Sequence, residues 1–135
     1  MLGSEKLLGQ IFGPEPVPPD FATRGGGLMS LRPSQFLAAS ADIQALPASL
    51  PQQQIRYGQL QLPVSVLYGR NDLVLDPTEN GADFIAQVNG ATLELVDSGH
   101  MLPVTNPRLT ADFIRRAASS VIAIGKDNGA GATAP

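Results

Sequence analysis

Two short apolar segments constrain the fold of this chain more than any other feature. Residues 64–68, VSVLY, are mostly apolar and include two β-branched valines, and Gly69 ends the run as glycine often ends a buried strand. Residues 93–96, LELV, are apolar except for Glu94 and lead into the turn that holds His100. We therefore predict two parallel strands within a strand-helix-strand-helix unit that spans 63–124.

The residues between the two strands carry the signals of a helix start. Asp76 has the character of an N-cap, Pro77 fits the first helical position and Glu79 places a carboxylate at the third. This pattern predicts a connecting helix that ends near Val88. A final helix is predicted to begin at Asn106, because the apolar residues that follow it recur at helical spacing.

The two ends of the chain differ from this central unit. Residues 1–62 are helical in pattern but interrupted by proline and glycine, and one helix is predicted there from about Pro33 to Leu46. This first part contains no strand pattern, so we treat it as a separate helical segment. Residues 125–135 are polar and rich in glycine, which predicts a disordered tail.

Composition excludes several classes of function. The 135 residues include nine Lys and Arg against twelve Asp and Glu, so neither nucleic acid nor a membrane surface is an expected partner. The apolar runs are too short to span a bilayer, and the N-terminus lacks the features of a signal peptide, which predicts a cytoplasmic protein. With no cysteine and a single histidine, the chain offers too few ligands for a metal site, and we expect no cofactor.

Asp72 and His100 are the candidate catalytic residues. Each follows a predicted strand, and they stand 28 residues apart, about the length of one strand-helix-strand unit. Parallel strands end at the same edge of a sheet, so both side chains should lie in adjacent loops where α/β proteins bind ligands. There the carboxylate can hydrogen-bond one ring nitrogen while the other accepts a proton from a nucleophile. The alternative is an ordinary turn aspartate and a surface histidine.

Three stretches together resemble the C-terminal part of the α/β-hydrolase family. They are 62–77, LPVSVLYGRNDLVLDP; 91–103, ATLELVDSGHMLP; and 106–117, NPRLTADFIRRA. The resemblance implies an α/β fold with two parallel strands and flanking helices from the end of a hydrolase sheet. It also implies that Asp72 is the acid and His100 the base of a Ser-Asp-His triad. Residues 1–62 resemble the helical cap, or lid, that precedes this part in many members.

The nucleophile of the family pattern is missing. The sequence contains no G-x-S-x-G motif, the turn that carries the nucleophilic serine in this family. We therefore expect a truncated hydrolase for ester, amide or related carbonyl substrates, inactive without an upstream nucleophile half. Its expected partners are a small-molecule substrate and either that N-terminal half or a second copy. Two alternatives remain: a non-catalytic hydrolase-derived fragment or binding module, and an upstream aspartate nucleophile.

A few further residues are weaker candidates. Met29, Phe36 and Met101 are large and apolar, and in a complete enzyme they are candidates to line a substrate pocket. Filling of a hydrophobic core is the alternative role for such side chains. Asp97 is interpreted as a loop carboxylate without a chemical role.

Overall fold

The computed structural model describes residues 2–130, and it describes side chains throughout that range except at 2–4, 30–31 and 123–130. Its regular elements are five α-helices and two strands. The helices are α1 (Leu2–Phe12), α2 (Pro33–Gln54), α3 (Asp83–Ala86), α4 (Leu102–Thr105) and α5 (Pro107–Ala130); the strands are β1 (Ser65–Gly69) and β2 (Thr92–Val96). Three single helical turns accompany them: 3-10 turns at Gly27–Leu31 and Tyr57–Gln59, and a π turn at Thr78–Ala82.

The two strands form a parallel pair, as the sequence predicted. Their register aligns Ser65 with Thr92 and Gly69 with Val96, so both strands end at the same edge. The architecture is therefore mixed α/β with a two-stranded parallel sheet. A helical connection between the strands returns the chain to the starting edge, as a parallel pair requires.

Helical elements contact both faces of this sheet. On one face, Glu94 of β2 accepts two hydrogen bonds from Arg116 of α5, at 2.9 and 2.7 Å. Successive strand residues point to opposite faces, so Leu93 faces the other way. There the π turn passes so close that a methyl group at Gly81 would lie 3.5 Å from Leu93 and 3.7 Å from the ring of Tyr68. Coverage of both faces is typical of parallel strands, which rarely tolerate solvent on either side.

The connecting helix begins where the sequence predicted, but it is not one regular helix. Oδ1 of Asp76 accepts hydrogen bonds from the backbone amides of Thr78 (2.7 Å) and Glu79 (3.2 Å), which confirms its role as an N-cap. The chain then forms the π turn before the single α-helical turn of α3. The predicted end near Val88 lies two residues beyond α3, where 3-10-type hydrogen bonds close the chain.

Two helices extend further than the sequence indicated. The helix α2 continues beyond the predicted end at Leu46, through Pro47 and Pro51 to Gln54, although proline lacks the amide hydrogen that continues a helix. The helix α5 continues to Ala130, so the predicted tail differs from the structure over 125–130. Gly125 and Gly129 each disfavour a helix by only about 1 kcal/mol relative to alanine, too little to end it alone. Residues 131–135 lie outside the described residues.

The buried core of the described residues is small. Phe12, Val88 and Leu102 are its apolar members, exposed by 0%, 3% and 6%. Phe12 anchors the N-terminal segment by meeting the ring of Phe21 edge to face, with centroids 4.8 Å apart. No described residue of α2 is buried, so this helix adds little to the core. Among the described residues, no helix combines the length and apolarity needed to cross a membrane.

Candidate active site

Asp72 and His100 meet at the carboxyl edge of the sheet. Oδ2 of Asp72 lies 2.9 Å from Nδ1 of His100, which is a hydrogen bond of ordinary length. The Asp72 side chain is 4% exposed, whereas that of His100 is 31% exposed. The carboxylate is therefore enclosed, while part of the imidazole remains open to solvent. Asp72 is the hydrogen-bond partner of the ring among the described residues, and Nε2 makes no hydrogen bond to them.

The backbone after β1 fixes the orientation of the Asp72 carboxylate. Oδ1 accepts hydrogen bonds from the amides of Val74 (2.8 Å) and Leu75 (3.0 Å). This arrangement is an Asx turn, in which an aspartate side chain caps the residues that follow it. With Oδ1 engaged by the backbone, Oδ2 is directed toward His100.

The same contacts decide the charge state of Asp72. Burial favours the neutral acid and raises its pKa, but the hydrogen bonds from the Leu75 amide, the His100 ring and the Val74 amide act in the opposite direction. The charge of His100 adds to them, and the net result is a pKa below the usual carboxyl value. Asp72 is thus held as a carboxylate at neutral pH, the form that accepts a hydrogen bond from the Nδ1–H group of His100.

The loops that carry the two residues are joined to each other. Asn71 donates its backbone amide to the Ser98 carbonyl (3.0 Å) and its side-chain amide to Oδ1 of Asp97 (2.6 Å). Gly69 allows this close approach, since a methyl group there would lie 2.3 Å from the Gly99 oxygen and 2.4 Å from the Ser98 oxygen. The loop carboxylate of Asp97, which the sequence assigned no chemistry, therefore links the loop of Asp72 to the loop of His100.

A small pocket of about 130 Å³ opens beside the pair. Asp72, His100 and Tyr68 contribute to its lining together with apolar side chains such as Leu75 and Leu102. The Tyr68 hydroxyl is buried and makes no hydrogen bond of ordinary geometry to the described residues. Burial raises the pKa of this hydroxyl, and the nearby charges of Asp72 and Asp76 raise it further. The pocket therefore brings the polar groups of Tyr68, Asp72 and His100 together with an apolar wall.

A second polar cluster, which the sequence did not reveal, lies on the far side of the histidine loop. The carboxylate of Glu15 accepts hydrogen bonds from the Ser98 hydroxyl, the Gly99 amide and the Asn106 side chain. These partners are 83 to 91 residues from Glu15 in the chain. The one visible signal was an acidic residue between prolines in the segment 13–16, which does not predict its partners.

Three predicted pocket residues lie away from the lining of this small pocket. Met29 is 48% exposed in the first 3-10 turn, and Phe36 is 65% exposed on α2. Met101 is half-buried, and its carbonyl accepts hydrogen bonds from the turn of α4. A larger apolar cleft of about 740 Å³ lies between α1 and residues 17–28, and neither Asp72 nor His100 lines it. A role for the three residues in substrate binding stays a prediction.

Compared with known proteins, the chain matches no family model, no curated protein and no solved structure. Among the described residues, no group of three or more His, Cys, Asp or Glu side chains is arranged to hold a metal ion.

Proposed function

We propose that Asp72 and His100 are the acid and the histidine of a serine-type hydrolase that acts on an ester, an amide or a related carbonyl compound. The observation that carries the proposal is the 2.9 Å contact between Oδ2 and Nδ1, with Nε2 unpaired among the described residues. The sequence resemblance to the C-terminal part of α/β-hydrolases, including a helical cap before it, supports the same assignment. No serine among the described residues forms a hydrogen bond to the His100 ring. In the proposed enzyme, the nucleophilic serine therefore belongs to an upstream segment.

In the proposed reaction, His100 transfers protons while Asp72 keeps its charge. Nε2 accepts the hydroxyl proton of the serine as its oxygen bonds to the carbonyl carbon and the carbonyl π electrons move to oxygen. When that oxygen re-forms the double bond, the bond to the leaving group breaks, and Nε2 returns the proton to it. Water then repeats both steps, which releases the acid and the serine. Asp72 stabilises the imidazolium and fixes the proton on Nδ1 throughout.

The environment of the pair suits this division of roles. The side chain of Asp72 is enclosed and keeps its negative charge at neutral pH, so it favours a positive charge on the ring. The ring itself is 31% exposed, which leaves its outer edge accessible to a serine and a substrate. The apolar wall of the adjoining pocket favours a substrate with an uncharged group beside the carbonyl.

Labelling with a serine-directed fluorophosphonate tests the proposal. The protein is isolated, together with whatever polypeptide binds it, from the cells that produce it. We expect a label on a serine that His100→Ala abolishes and Asp72→Asn strongly reduces, while Asp112→Asn on the exposed face of α5 leaves it unchanged. Absence of label from every form, with the Asp72–His100 hydrogen bond still present by NMR, would contradict the proposal.

A second candidate function is a non-catalytic interaction module derived from such a hydrolase. It is favoured by α2, whose large apolar side chains face solvent: Phe36, Leu37 and Ile43 are 65%, 65% and 67% exposed. In that case no serine label depends on His100, whereas charged substitutions on α2 release the bound partner. The same isolation experiment therefore separates the two candidates.

A further inference from the structure

We propose that Glu15 is a positioning residue that sets the orientation of His100 from the opposite side of its loop. This role rests on the proposed function for its catalytic meaning, although the geometry on which it depends is independent of any reaction. Glu15 lies in the segment between α1 and the first 3-10 turn, far from the sheet in sequence. Its carboxylate nevertheless contacts the two residues that directly precede His100.

Donors surround the Glu15 carboxylate. The Gly99 amide donates to both oxygens, at 3.3 and 3.1 Å, and the Ser98 hydroxyl donates to Oε1. The side-chain amide of Asn106 donates to Oε1 (3.3 Å) and to the Ser98 oxygen (2.8 Å). Ser98 is 1% exposed, so these groups have little access to water as an alternative partner. An ionised carboxylate, which accepts and does not donate, matches this set of donors.

Backbone packing reinforces the same contact. A methyl group added at Gly99 would lie 2.0 Å from the carbonyl oxygen of Gly13, so the N-terminal segment presses directly on the histidine loop. On its other side the loop meets Gly69, where an added methyl group would lie 2.3 Å from the Gly99 oxygen. The loop is thus held between the end of β1 and the segment 13–15. Displacement of either neighbour allows Gly99 to move, and His100 is the next residue.

The consequence for the histidine follows from the hydrogen-bond geometry. A shift of about 1 Å in the loop is enough to turn a 2.9 Å contact into one outside hydrogen-bond range. Glu15 does not touch the imidazole, so its effect on the ring passes through Gly99. The expected effect of its loss is a weaker Asp72–His100 hydrogen bond with the rest of the sheet intact.

Proton and nitrogen NMR of the full chain gives a direct readout, because His100 is the single histidine of the sequence. A downfield Nδ1 proton and the nitrogen shifts of the ring report the bond to Asp72 and the tautomer. We expect Glu15→Ala to lose the downfield proton and to mix the two tautomers. Glu15→Gln, which keeps one acceptor but places a donor among donors, should show an intermediate change.

The matched control is Glu5→Ala, which removes an exposed carboxylate from α1 in the same N-terminal segment. It should leave both the ring signals and the thermal midpoint unchanged. If Glu15→Ala does not fold, Glu15→Gln decides, because its volume is conserved. Unchanged ring signals in the folded Glu15 variants, with only a lower thermal midpoint, would overturn the proposal.

The outcome is separable from that of the proposed hydrolase. Loss of the ring signature in Glu15 variants supports the positioning role even if no serine is ever labelled. Where labelling does occur, Glu15→Ala should reduce its rate at least tenfold at saturating probe, whereas Glu5→Ala should not. A normal labelling rate together with normal ring signals would count against Glu15 alone.

Discussion

The carboxylate of Asp72 lies 2.9 Å from the imidazole of His100 although the two residues belong to loops that follow different strands. The parallel register of β1 and β2 brings those loops to one edge, and the backbone amides of Val74 and Leu75 orient the carboxylate within it. Local turn chemistry and sheet topology thus act on the same pair of atoms. Substitutions that disturb either the turn or the packing of the two loops should therefore change the stability of the fold and the state of His100.

Replacement of Asp72 by asparagine should separate the acceptor from the charge. We expect Asp72→Asn to lower the free energy of unfolding by about 1–3 kcal/mol, because a side chain that is 4% exposed loses the charge that strengthens its hydrogen bonds. The tautomer of His100 should change as well, since an amide offers the ring a donor as well as an acceptor. Urea unfolding and nitrogen NMR measure the two effects.

Asp112→Asn is the control for that substitution. Asp112 pairs with Arg115 on the surface of α5, where its side chain is 62% exposed. Surface pairs of this kind contribute little, so the free energy of unfolding should change by less than about 0.5 kcal/mol. An equal change in the free energy of unfolding for the two variants would mean that the Asp72–His100 contact stabilises the fold no more than an exposed surface pair.

The pH dependence of stability has a defined sign. The pKa of Asp72 is lowered in the folded chain, so between that value and the usual carboxyl value the unfolded chain binds the extra proton. The stability that the Asp72 carboxylate contributes is fully present above about pH 4, and it is lost as the pH falls through the pKa of Asp72 in the folded chain. The pKa of Asp76 is lowered by the amides of Glu79 and Thr78 and acts in the same direction.

Unfolding free energies measured from pH 6 down to pH 2 test this dependence. We expect a steady loss of stability below about pH 4 that Asp72→Asn makes shallower. Asp76→Asn should remove a further part of the slope, and that part should weaken with added salt because Asp76 is exposed. An identical slope in the wild-type chain and in Asp72→Asn would show that Asp72 titrates alike in both states.

Sequence patterns gave the sheet and the pair of residues because both depend on short-range signals. β1 and β2 are short, largely apolar segments of strand length, and Asp72 and His100 are separated by a single crossover. The Glu15 cluster depends on contacts across more than 80 residues, which one sequence does not encode locally. The length of α2 was missed for another reason, since it continues through two prolines that normally favour a helix end.

Alanine substitution of Gly69 tests the packing of the end of β1 against the loop of His100, and the same substitution of Gly9 in α1 is its control. Gly69→Ala places a methyl group 2.3 Å from one backbone oxygen and 2.4 Å from another, and neither can rotate away. We expect it to lower the free energy of unfolding by about 1–3 kcal/mol, the usual cost of overpacking. Gly9→Ala, in α1 with no atom within 4 Å, should instead raise it by about 0.5–1 kcal/mol through helix propensity.

Chemical denaturation of both variants, followed by circular dichroism, measures this difference. NMR of Gly69→Ala should also show a changed His100 signal, because the displaced residues Ser98 and Gly99 lead directly to it. A Gly69→Ala variant as stable as the wild type would mean that the loop of His100 does not approach β1 as closely as the structure indicates.

Two phenylalanines distinguish the packed part of the N-terminal segment from its exposed part. Phe12 is 0% exposed and contacts Phe21, whereas Phe36 on α2 is 65% exposed. Phe12→Ala should therefore lower the free energy of unfolding by about 3–5 kcal/mol, and Phe36→Ala of the isolated chain by less than about 0.5 kcal/mol. Urea unfolding at low protein concentration measures both. A large loss in Phe36→Ala that grows with protein concentration would show instead that α2 is covered by a second copy of the chain, because a contact between copies stabilises the fold by mass action.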